Sequence, residues 1–307
     1  MQLPEDRPGT MGVNLTNWPA ISSYVTNRHD TYPAISPSLA DLRGKSVFIT
    51  GASKGCGRAT AVEFAKAGCT RIAVAARSDL TDVVAAVKAA ARGKDGDAGE
   101  MRVVAVNLDV TSADSMAAAA ATVSEAFGGV VDVVVANAGY LEAWAPMHEA
   151  DADDWWASWE VNVKGVYLTA KYFAPMLLKS ETKLFVAVSS IGAHLIRKHA
   201  SSYHINKLAV IRFVEYMQEE YADEGIVAVS VHPGGVKTDL ALSMPDFMHE
   251  LLVDTPELFA DSIVWLADKR REWLGGRFIN ACWDLGELEG KKEEVVGRDL
   301  FKFRMTV

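Results

Sequence analysis

Tyrosine and lysine occur twice in this chain four residues apart, a pairing that could move protons. The two pairs are Tyr167 with Lys171 and Tyr203 with Lys207. On a helix this spacing places both side chains on one face, one turn apart. A nearby ammonium favours the phenolate and lowers the tyrosine pKa from its usual value of about 10, toward the range that a general acid needs.

The residues before each pair distinguish the two. Ser190 ends an apolar run and precedes Tyr203, so it could donate a hydrogen bond to an oxygen on which negative charge develops. At the same offset before Tyr167 stands Asp154, which cannot replace a hydroxyl donor. We predict that Ser190, Tyr203 and Lys207 are catalytic, and that the first pair lies on a helix surface or in an interface.

A glycine-rich segment at 50–57 is a second candidate site. It connects the apolar run 46–50 to an Ala-rich stretch. Glycines let the backbone turn tightly and approach a phosphate, and the N-terminus of the following helix offers free N–H groups and a positive dipole end. Such loops also form plain strand-to-helix connections, but this position favours dinucleotide binding. The residues predicted to bind are Gly51, Ser53, Lys54, Gly55, Cys56 and Gly57.

The elements that would position these residues alternate from residue 45 onward. Short apolar runs, typical of parallel strands buried on both faces, are separated by Ala-rich helical stretches, with one long helical stretch at 151–178. This order predicts an α/β fold, a single doubly wound parallel sheet of the Rossmann type flanked by helices on both faces. The predicted strands are 46–50, 71–76, 102–108, 130–137, 184–190, 226–232 and 277–281.

The first 43 residues differ from the rest. Residues 1–40 hold many prolines, and neither helical nor strand periodicity survives there. We predict an irregular N-terminal arm at 1–43, followed by one dinucleotide-binding domain with a C-terminal tail at 44–307. The arm either packs onto the domain through Trp18, Tyr24 and Tyr32 or forms a loose tail.

Composition excludes several classes of protein. The chain has 307 residues and a net charge of −9, which argues against nucleic acid or an anionic membrane as a partner. No apolar run is long enough to cross a membrane, and the N-terminus lacks the apolar segment of a signal peptide. Three scattered cysteines lack metal-ligand spacing. We expect a cytoplasmic protein with free thiols and no metal.

The glycine spacing, G-x-x-x-G-x-G, resembles that of the short-chain dehydrogenase/reductase family, in its shorter single-domain subgroup. Three further motifs occur in the family's order: an Asn-Ala-Gly turn at 137–139, Ser190 before the Tyr203 pair, and a Pro-Gly turn at Pro233. The resemblance covers roughly residues 44–281, and the arm and tail look like a fungal branch. It implies hydride transfer between a nicotinamide cofactor and a ketone or secondary alcohol.

The resemblance also assigns roles to single residues. Asn162, a poor helix former in a helical stretch, corresponds to the family's fourth catalytic residue, which bends its helix. An ordinary buried polar residue is the alternative. Lys207 is implied to hold the nicotinamide ribose as well, and the positive nicotinamide of the oxidised cofactor is expected to act with Lys207 in lowering the Tyr203 pKa. Further residues implied to contact the cofactor are Asp109, Val110, Asn137, Ala138, Gly139, Tyr203, Pro233, Gly234, Val236 and Thr238.

Two of these cofactor roles have structural alternatives. A helix N-cap at Thr111 or Ser112 coexists with the role of Asp109. The Pro-Gly turn could also be a plain strand-ending turn.

The choice of cofactor depends on charge after the second strand. NAD-binding loops usually place a carboxylate there, whereas this chain has Arg77. Arg77 and Lys54 could meet a 2′-phosphate, so the sequence favours NADP(H) over NAD(H). Asp79 lies close enough to keep NAD open, and both cations could instead be solvated.

Substrate recognition is expected in residues 140–147, 193–202 and 239–254. Their large apolar side chains suggest a roomy pocket for a bulky substrate such as a secondary metabolite, although such residues also fill plain cores. These side chains are Trp144, Leu195, Met244, Phe247 and Met248. Three histidines flank the site and are given no catalytic role: His194, His199 and His204.

Two other functions stay open beside a ketone reductase or alcohol dehydrogenase. The fold could host a redox-silent isomerase or cyclase, or a non-enzymatic regulator that senses NADP. The complete set of four candidate catalytic residues speaks against the regulator. A homodimer or homotetramer is expected, and a dimer through the helices that bear Asn162 and Tyr203 is the weaker, more specific prediction.

Overall fold

The computed structural model describes residues 24–91 and 101–305. Within these residues, one sheet of seven strands has the order β3-β2-β1-β4-β5-β6-β7, and every neighbouring pair is parallel. The predicted doubly wound α/β fold is confirmed. The strands are β1 (Ser46–Thr50), β2 (Arg71–Ala76), β3 (Arg102–Asn107), β4 (Val133–Ala136), β5 (Leu184–Val188), β6 (Val227–His232) and β7 (Arg277–Asn280).

Helices cover both faces of the sheet. No helix in the part of the chain that the structure describes is long and apolar enough to cross a membrane. The helices are α1 (Gly55–Lys66), α2 (Thr81–Ala91), α3 (Ala113–Phe127), α4 (Ala152–Trp159), α5 (Gly165–Leu177), α6 (Ser201–Tyr221), α7 (Asp239–Leu242), α8 (Pro256–Asp268), α9 (Leu285–Gly290) and α10 (Lys292–Gly297).

Two cores form because side chains alternate between the faces of each strand. In β1, Val47 and Ile49 belong to the core that also contains residues of α1, α2 and α8. Phe48 points the other way, into the core with α3, α5 and α6, where its ring stacks on Phe173. The apolar runs of the sequence therefore correspond to strands that are buried on both sides.

The strand order reverses at β1, which pairs with β2 on one side and β4 on the other. In open α/β sheets, ligands bind outside the carboxyl ends of the strands at such a point. The glycine loop at 50–57 follows β1, and the Asn-Ala-Gly turn at 137–139 follows β4. The fold thus places both predicted cofactor motifs at one crevice.

The long helix predicted at 151–178 consists of three consecutive pieces. The helix α4 ends at Trp159, a π-helical turn spans Glu160–Lys164, and α5 begins at Gly165. Such turns occur frequently at functional sites, and Asn162 lies within this one.

Strand β4 is shorter than the predicted 130–137. It spans only Val133–Ala136, and the Asp132 side chain just before it connects this strand to its surroundings. One carboxylate oxygen of Asp132 accepts from the Ser46 N–H at 2.8 Å, and the other accepts from the Ser180 hydroxyl at 2.7 Å.

The described part of the N-terminal arm packs against residues that follow β7. The Tyr24 ring lies 5.0 Å from the Phe301 ring, between centroids. The Tyr32 hydroxyl accepts a hydrogen bond from the Leu285 N–H at 2.6 Å, and Arg28 pairs with Asp284 at 2.7 Å. Trp18 lies outside the described residues, and the domain boundary at residue 43 stays a prediction.

Candidate active site

Three predicted catalytic residues meet beyond the carboxyl end of β5. Tyr203 and Lys207 lie one turn apart on α6, with Lys207 Nζ 5.5 Å from the centre of the Tyr203 ring. The Ser190 side chain is hydrogen-bonded to Tyr203. Lys207 Nζ donates to the Val188 carbonyl oxygen at 2.9 Å, so the end of β5 fixes the position of the ammonium.

Asn162 is buried beside this group and binds main chain from another loop. Its Oδ1 accepts from the Tyr140 N–H at 3.0 Å, and its Nδ2 donates to the Tyr140 carbonyl oxygen at 2.7 Å. Its Nδ2 also donates to Ser158 Oγ, which accepts from Asn206 Nδ2 at 2.7 Å. Hydrogen bonds through the Ser158 hydroxyl therefore connect Asn162 to Asn206, the residue before Lys207 on α6.

Burial controls the protonation of the tyrosine and the lysine. It raises the pKa of Tyr203 to about 12, although the hydrogen bond with Ser190 acts to lower it. It lowers the pKa of Lys207 to about 7. In the protein alone the Tyr203 pKa is therefore raised rather than lowered, because withdrawal from water dominates. The lowering expected from Lys207 together with the oxidised nicotinamide concerns the cofactor-bound enzyme and stays a prediction.

Glu142 is a buried carboxylate at this site that sequence reasoning missed. Its Oε1 accepts from the Tyr203 N–H at 2.9 Å, and its side chain thus caps the first turn of α6. Its charge adds to the rise of the Tyr203 pKa. No motif marks Glu142, because the residue that it caps is 61 positions away.

The glycine loop leads into α1 without a side-chain cap. Lys54 is the N-cap residue and makes no capping hydrogen bond, so the first N–H groups of α1 can meet a phosphate. Gly51 and Gly55 have φ of +65° and +56°, which L side chains rarely adopt. A Cβ on Gly57 would lie 2.5 Å from Asn137 Nδ2. These features fit a dinucleotide-binding loop.

Asn137 ties this loop to β4. Its Nδ2 donates to the Thr50 carbonyl oxygen at 2.9 Å. The N–H groups of Asn137 and Ala138 both donate to Thr50 Oγ1 at 3.0 Å. Gly139 follows, and a Cβ there would lie 3.3 Å from Leu240 Cδ1. The turn joins β1, β4 and α7 at the crevice.

The charged residues near β2 differ in what they contact. Arg77 is exposed beyond the end of the strand. Lys54 Nζ lies 2.5 Å from Asp239 Oδ2 in a pair whose side chains are 69% and 71% exposed, and such surface pairs are weak. Asp79 Oδ1 accepts from the Thr81 hydroxyl at 2.9 Å and its N–H at 3.3 Å. This carboxylate is therefore already engaged at the start of α2.

Asp109 and Val110 follow β3. Asp109 Oδ1 accepts from the Thr111 N–H at 2.9 Å and its hydroxyl at 2.8 Å, and these bonds lower the pKa of Asp109. Ser112 is the N-cap of α3, as the alternative interpretation expected. Val110 packs on α5, because a Cβ on Gly165 would lie 3.0 Å from Val110 Cγ2.

The turn after β6 is held by a carboxylate from the segment 239–254. Gly234 has a φ of +94°, and a Cβ there would lie 2.7 Å from Asp254 Oδ2. The same oxygen accepts from the Gly235 N–H at 2.6 Å. Thr238 is the N-cap of α7. The predicted cofactor residues of this turn also border a cavity: Pro233, Gly234, Val236 and Thr238.

This cavity has a volume of about 370 Å³, and Ser190 and Tyr203 lie in its wall. Four of the five apolar residues predicted for a pocket line it: Trp144, Leu195, Met244 and Met248. Phe247, the fifth, is 41% exposed and is not in the lining. Of the flanking histidines His204 lines the cavity, whereas His194 and His199 do not.

The N-terminal arm also reaches the cavity, which sequence reasoning did not foresee. Asn27 and His29 lie in the wall. His29 Nδ1 is 2.6 Å from Asp254 Oδ1, and the Thr255 N–H donates to the His29 carbonyl oxygen at 3.0 Å. The Asp254 carboxylate thus joins the arm to the turn after β6.

The other tyrosine–lysine pair lies on the surface. Tyr167 is 48% exposed, and Lys171 Nζ lies 5.5 Å from the centre of the Tyr172 ring rather than over Tyr167. This placement agrees with the prediction of a helix surface or an interface.

Burial affects the cysteine thiols of this chain. The three cysteines are free, and burial raises the pKa of Cys56 and Cys69 to about 12, so their thiols stay protonated. Within residues 24–91 and 101–305, no group of three His, Cys, Asp or Glu side chains could hold a metal ion.

The glycine-loop crevice beside a Ser–Tyr–Lys group is the arrangement that the sequence predicts for a nicotinamide-dependent oxidoreductase. A family model described as short chain dehydrogenase matches residues 45–248. The chain belongs to this family and is an NAD(P)-dependent oxidoreductase.

Relatives and solved structures agree with this assignment. Short chain dehydrogenase citE of Monascus ruber is 44% identical over 286 residues, covering 93% of this chain and 97% of that protein. A short chain dehydrogenase structure from Salmonella enterica has a TM-score of 0.71 at 24% identity, covering 82% of this chain and 99% of that one; it shows the fold alone. The 3-ketoacyl-(acyl-carrier-protein) reductase of Brucella melitensis, complexed with NADH, has a TM-score of 0.66 at 25% identity. The match covers 78% of this chain and 97% of that one.

Proposed function

We propose that the protein is an NADP(H)-dependent oxidoreductase that interconverts a bulky ketone and its secondary alcohol. The observation that carries the proposal is the placement of Ser190 and Tyr203 in the wall of a cavity of about 370 Å³, with Lys207 behind the tyrosine ring. A cavity of this size is in the range of small-molecule sites, and it is shared between substrate and cofactor because predicted cofactor residues such as Gly234 and Thr238 also line it.

In the proposed reaction Tyr203 gives the proton. A pKa of about 12 keeps its phenol protonated at neutral pH, which is the form needed to protonate a carbonyl oxygen. Ser190 donates a hydrogen bond to the same oxygen as charge develops. The nicotinamide, when bound, supplies or accepts the hydride.

Lys207 and Asn162 support the tyrosine in this proposal. The Lys207 ammonium, held by the Val188 carbonyl oxygen at 2.9 Å, stabilises negative charge on the phenol and holds the nicotinamide ribose. Asn162 is buried and bonded to Tyr140 at both ends of its amide. It therefore fixes the loop that follows β4, beside α6.

Two observations support NADP(H) over NAD(H). Arg77 is exposed directly after β2, and an arginine near this strand end is typical of folds that accept a 2′-phosphate. The Asp79 carboxylate, which could serve a ribose hydroxyl, already accepts two hydrogen bonds from Thr81. The NADH bound to the Brucella relative makes a direct comparison of both cofactors necessary.

Exposed aromatic residues support a dimer through the helices that bear the site. Trp156 on α4, Tyr167 on α5 and Tyr216 on α6 are 57%, 48% and 63% exposed. Apolar side chains on neighbouring helices are typical of a subunit interface. The cytoplasmic location and a role in secondary metabolism belong to the same proposal.

The test is oxidation of NADPH and NADH over a panel of bulky ketones and quinones. We expect turnover with NADPH and much poorer turnover with NADH. An isomerase or cyclase would consume a substrate of the panel without oxidising NADPH. A regulator would bind NADPH tightly and turn over nothing, and either result would contradict the proposal.

A further inference from the structure

Arg197 is a cation in the cavity wall with an unusual set of contacts. Its guanidinium carbon lies 5.7 Å from the centre of the Trp144 ring and 5.3 Å from the centre of the Phe247 ring. Its Nη1 is in contact with the sulfur of Met248. No Asp or Glu among the described residues pairs with it, and its Nε is buried without a hydrogen-bond partner.

The rest of the wall does not neutralise this charge. Arg197 is the only Lys or Arg among the described residues that line the cavity. The one carboxylate there, Asp254, is engaged by His29 and by the Gly235 N–H. Burial lowers the pKa of His232 to about 4, so that side chain is neutral near pH 7.

A guanidinium in this environment favours the binding of an anion. Partial withdrawal from water lowers the pKa of Arg197, and a partly buried cation without an anionic partner is unfavourable. The Trp144 indole N–H is also buried without an acceptor. Met248 offers only a weak acceptor on a flexible side chain, which a carboxylate could displace at little cost.

We propose that Arg197 binds a carboxylate of the substrate, so that the preferred substrate is a keto acid whose ketone lies at Ser190 and Tyr203. This proposal rests on the proposed function. The planar guanidinium fork matches the two oxygens of a carboxylate. A carboxylate is favoured over a phosphate because Arg197 has no second Lys or Arg beside it in the described lining.

The kinetic test compares acids with matched neutral esters. The probes are 4-acetylbenzoate, its homologues with the ketone one and two methylene groups further away, and the methyl ester of each. The spacing that is reduced best reports the reach from Arg197 to Tyr203. We expect kcat/KM with NADPH to be higher for the best acid than for its ester by about tenfold or more, the usual size of a charge-assisted hydrogen bond.

Three variants assign that preference to one side chain. Arg197→Met keeps the aliphatic stem and is expected to abolish the preference by weakening the acid alone, whereas Arg197→Lys should retain part of it. Lys198→Met removes an exposed charge from the same segment and should leave the preference intact. Equal losses for acid and ester in Arg197→Met would show that Arg197 only packs against Phe247, and would overturn the proposal.

A binding measurement separates this proposal from the proposed function. Calorimetry with 4-propylbenzoate and 4-propylbenzamide, which carry no ketone, needs no turnover. We expect the benzoate to bind the wild type more tightly than the amide, and Arg197→Met to bind both alike. If no ketone is reduced but this preference appears, the reductase proposal fails and the Arg197 site stands. If ketones are reduced and the benzoate shows no preference, the Arg197 proposal fails.

Discussion

The cofactor side and the substrate side of the crevice are built in different ways. On the side predicted to bind the cofactor, many of the predicted residues lie directly after a strand end, as with Gly51 after β1 and Asn137 after β4. On the substrate side, the wall combines the arm, the segments 193–202 and 239–254, and residues after β7. The first side is therefore determined by local sequence, and the second depends on tertiary structure.

Asp254 shows how the two sides are joined. It accepts from the Gly235 N–H beside the predicted nicotinamide site and contacts His29 of the arm, 225 residues away. A movement of the arm would therefore also move the turn after β6, because Asp254 contacts both. We expect changes on the cofactor side to alter cofactor use alone, and changes on the substrate side to alter substrate use first.

The largest loss of activity is expected from a substitution at Tyr203, where the cofactor side and the substrate side of the crevice meet. Tyr203→Phe removes the proton donor and should lower kcat for ketone reduction by about a thousandfold, within the usual range for general acid catalysis. Tyr167→Phe, in the other tyrosine–lysine pair, is the matched control and should retain wild-type kcat. Comparable turnover in the two variants would remove Tyr203 from the acid role.

The next effect concerns the cofactor side alone. Arg77→Ala should raise KM for NADPH by about 10- to 100-fold, because a charge-assisted contact with a phosphate is lost. KM for NADH should change little. Lys88→Ala removes an exposed charge at the end of α2. It controls for the general electrostatic effect of removing one positive charge from the protein. A parallel rise for both cofactors would mean that Arg77 does not read the 2′-phosphate.

The pH dependence of the reaction tests the role of Lys207, which is buried beside the Tyr203 ring. The pKa of Lys207 lies at about 7 and that of Tyr203 at about 12, so below pH 7 both carry the protons that reduction needs. Above pH 7 Lys207 loses its charge while Tyr203 stays protonated. The kcat/KM for NADPH, which reports the free enzyme, should fall about tenfold per pH unit above 7. A flat profile to pH 9 would contradict this assignment.

The smallest effect concerns the arm. His29→Asn breaks the contact with Asp254, and because His29 is 59% exposed the loss of stability should stay below about 1 kcal/mol. KM for the ketone should rise about two- to fivefold, with KM for NADPH unchanged. His148→Asn, at an 82% exposed histidine, is the control. A rise in the NADPH KM alone would show that the arm serves the cofactor side instead.

This contrast also explains what the sequence could predict. Ser190, Tyr203 and Lys207 fall on adjacent elements of one βα unit, so their spacing along the chain carries their geometry. Arg197, Glu142 and His29 belong to no spacing pattern, and the partners of Glu142 and His29 are 61 and 225 residues away. The raised pKa of Tyr203 in the protein alone was not foreseen for a related reason, since burial depends on the packed structure.

The most direct test of hydride chemistry is isotope transfer. NADPH deuterated at both C4 positions of its nicotinamide is incubated with the best ketone of the panel, and the product alcohol is analysed by mass spectrometry and NMR. Our account predicts one deuterium on the carbinol carbon for each NADPH oxidised, with Tyr203→Phe forming far less of this product. Conversion of the ketone without deuterium in the product would contradict the account.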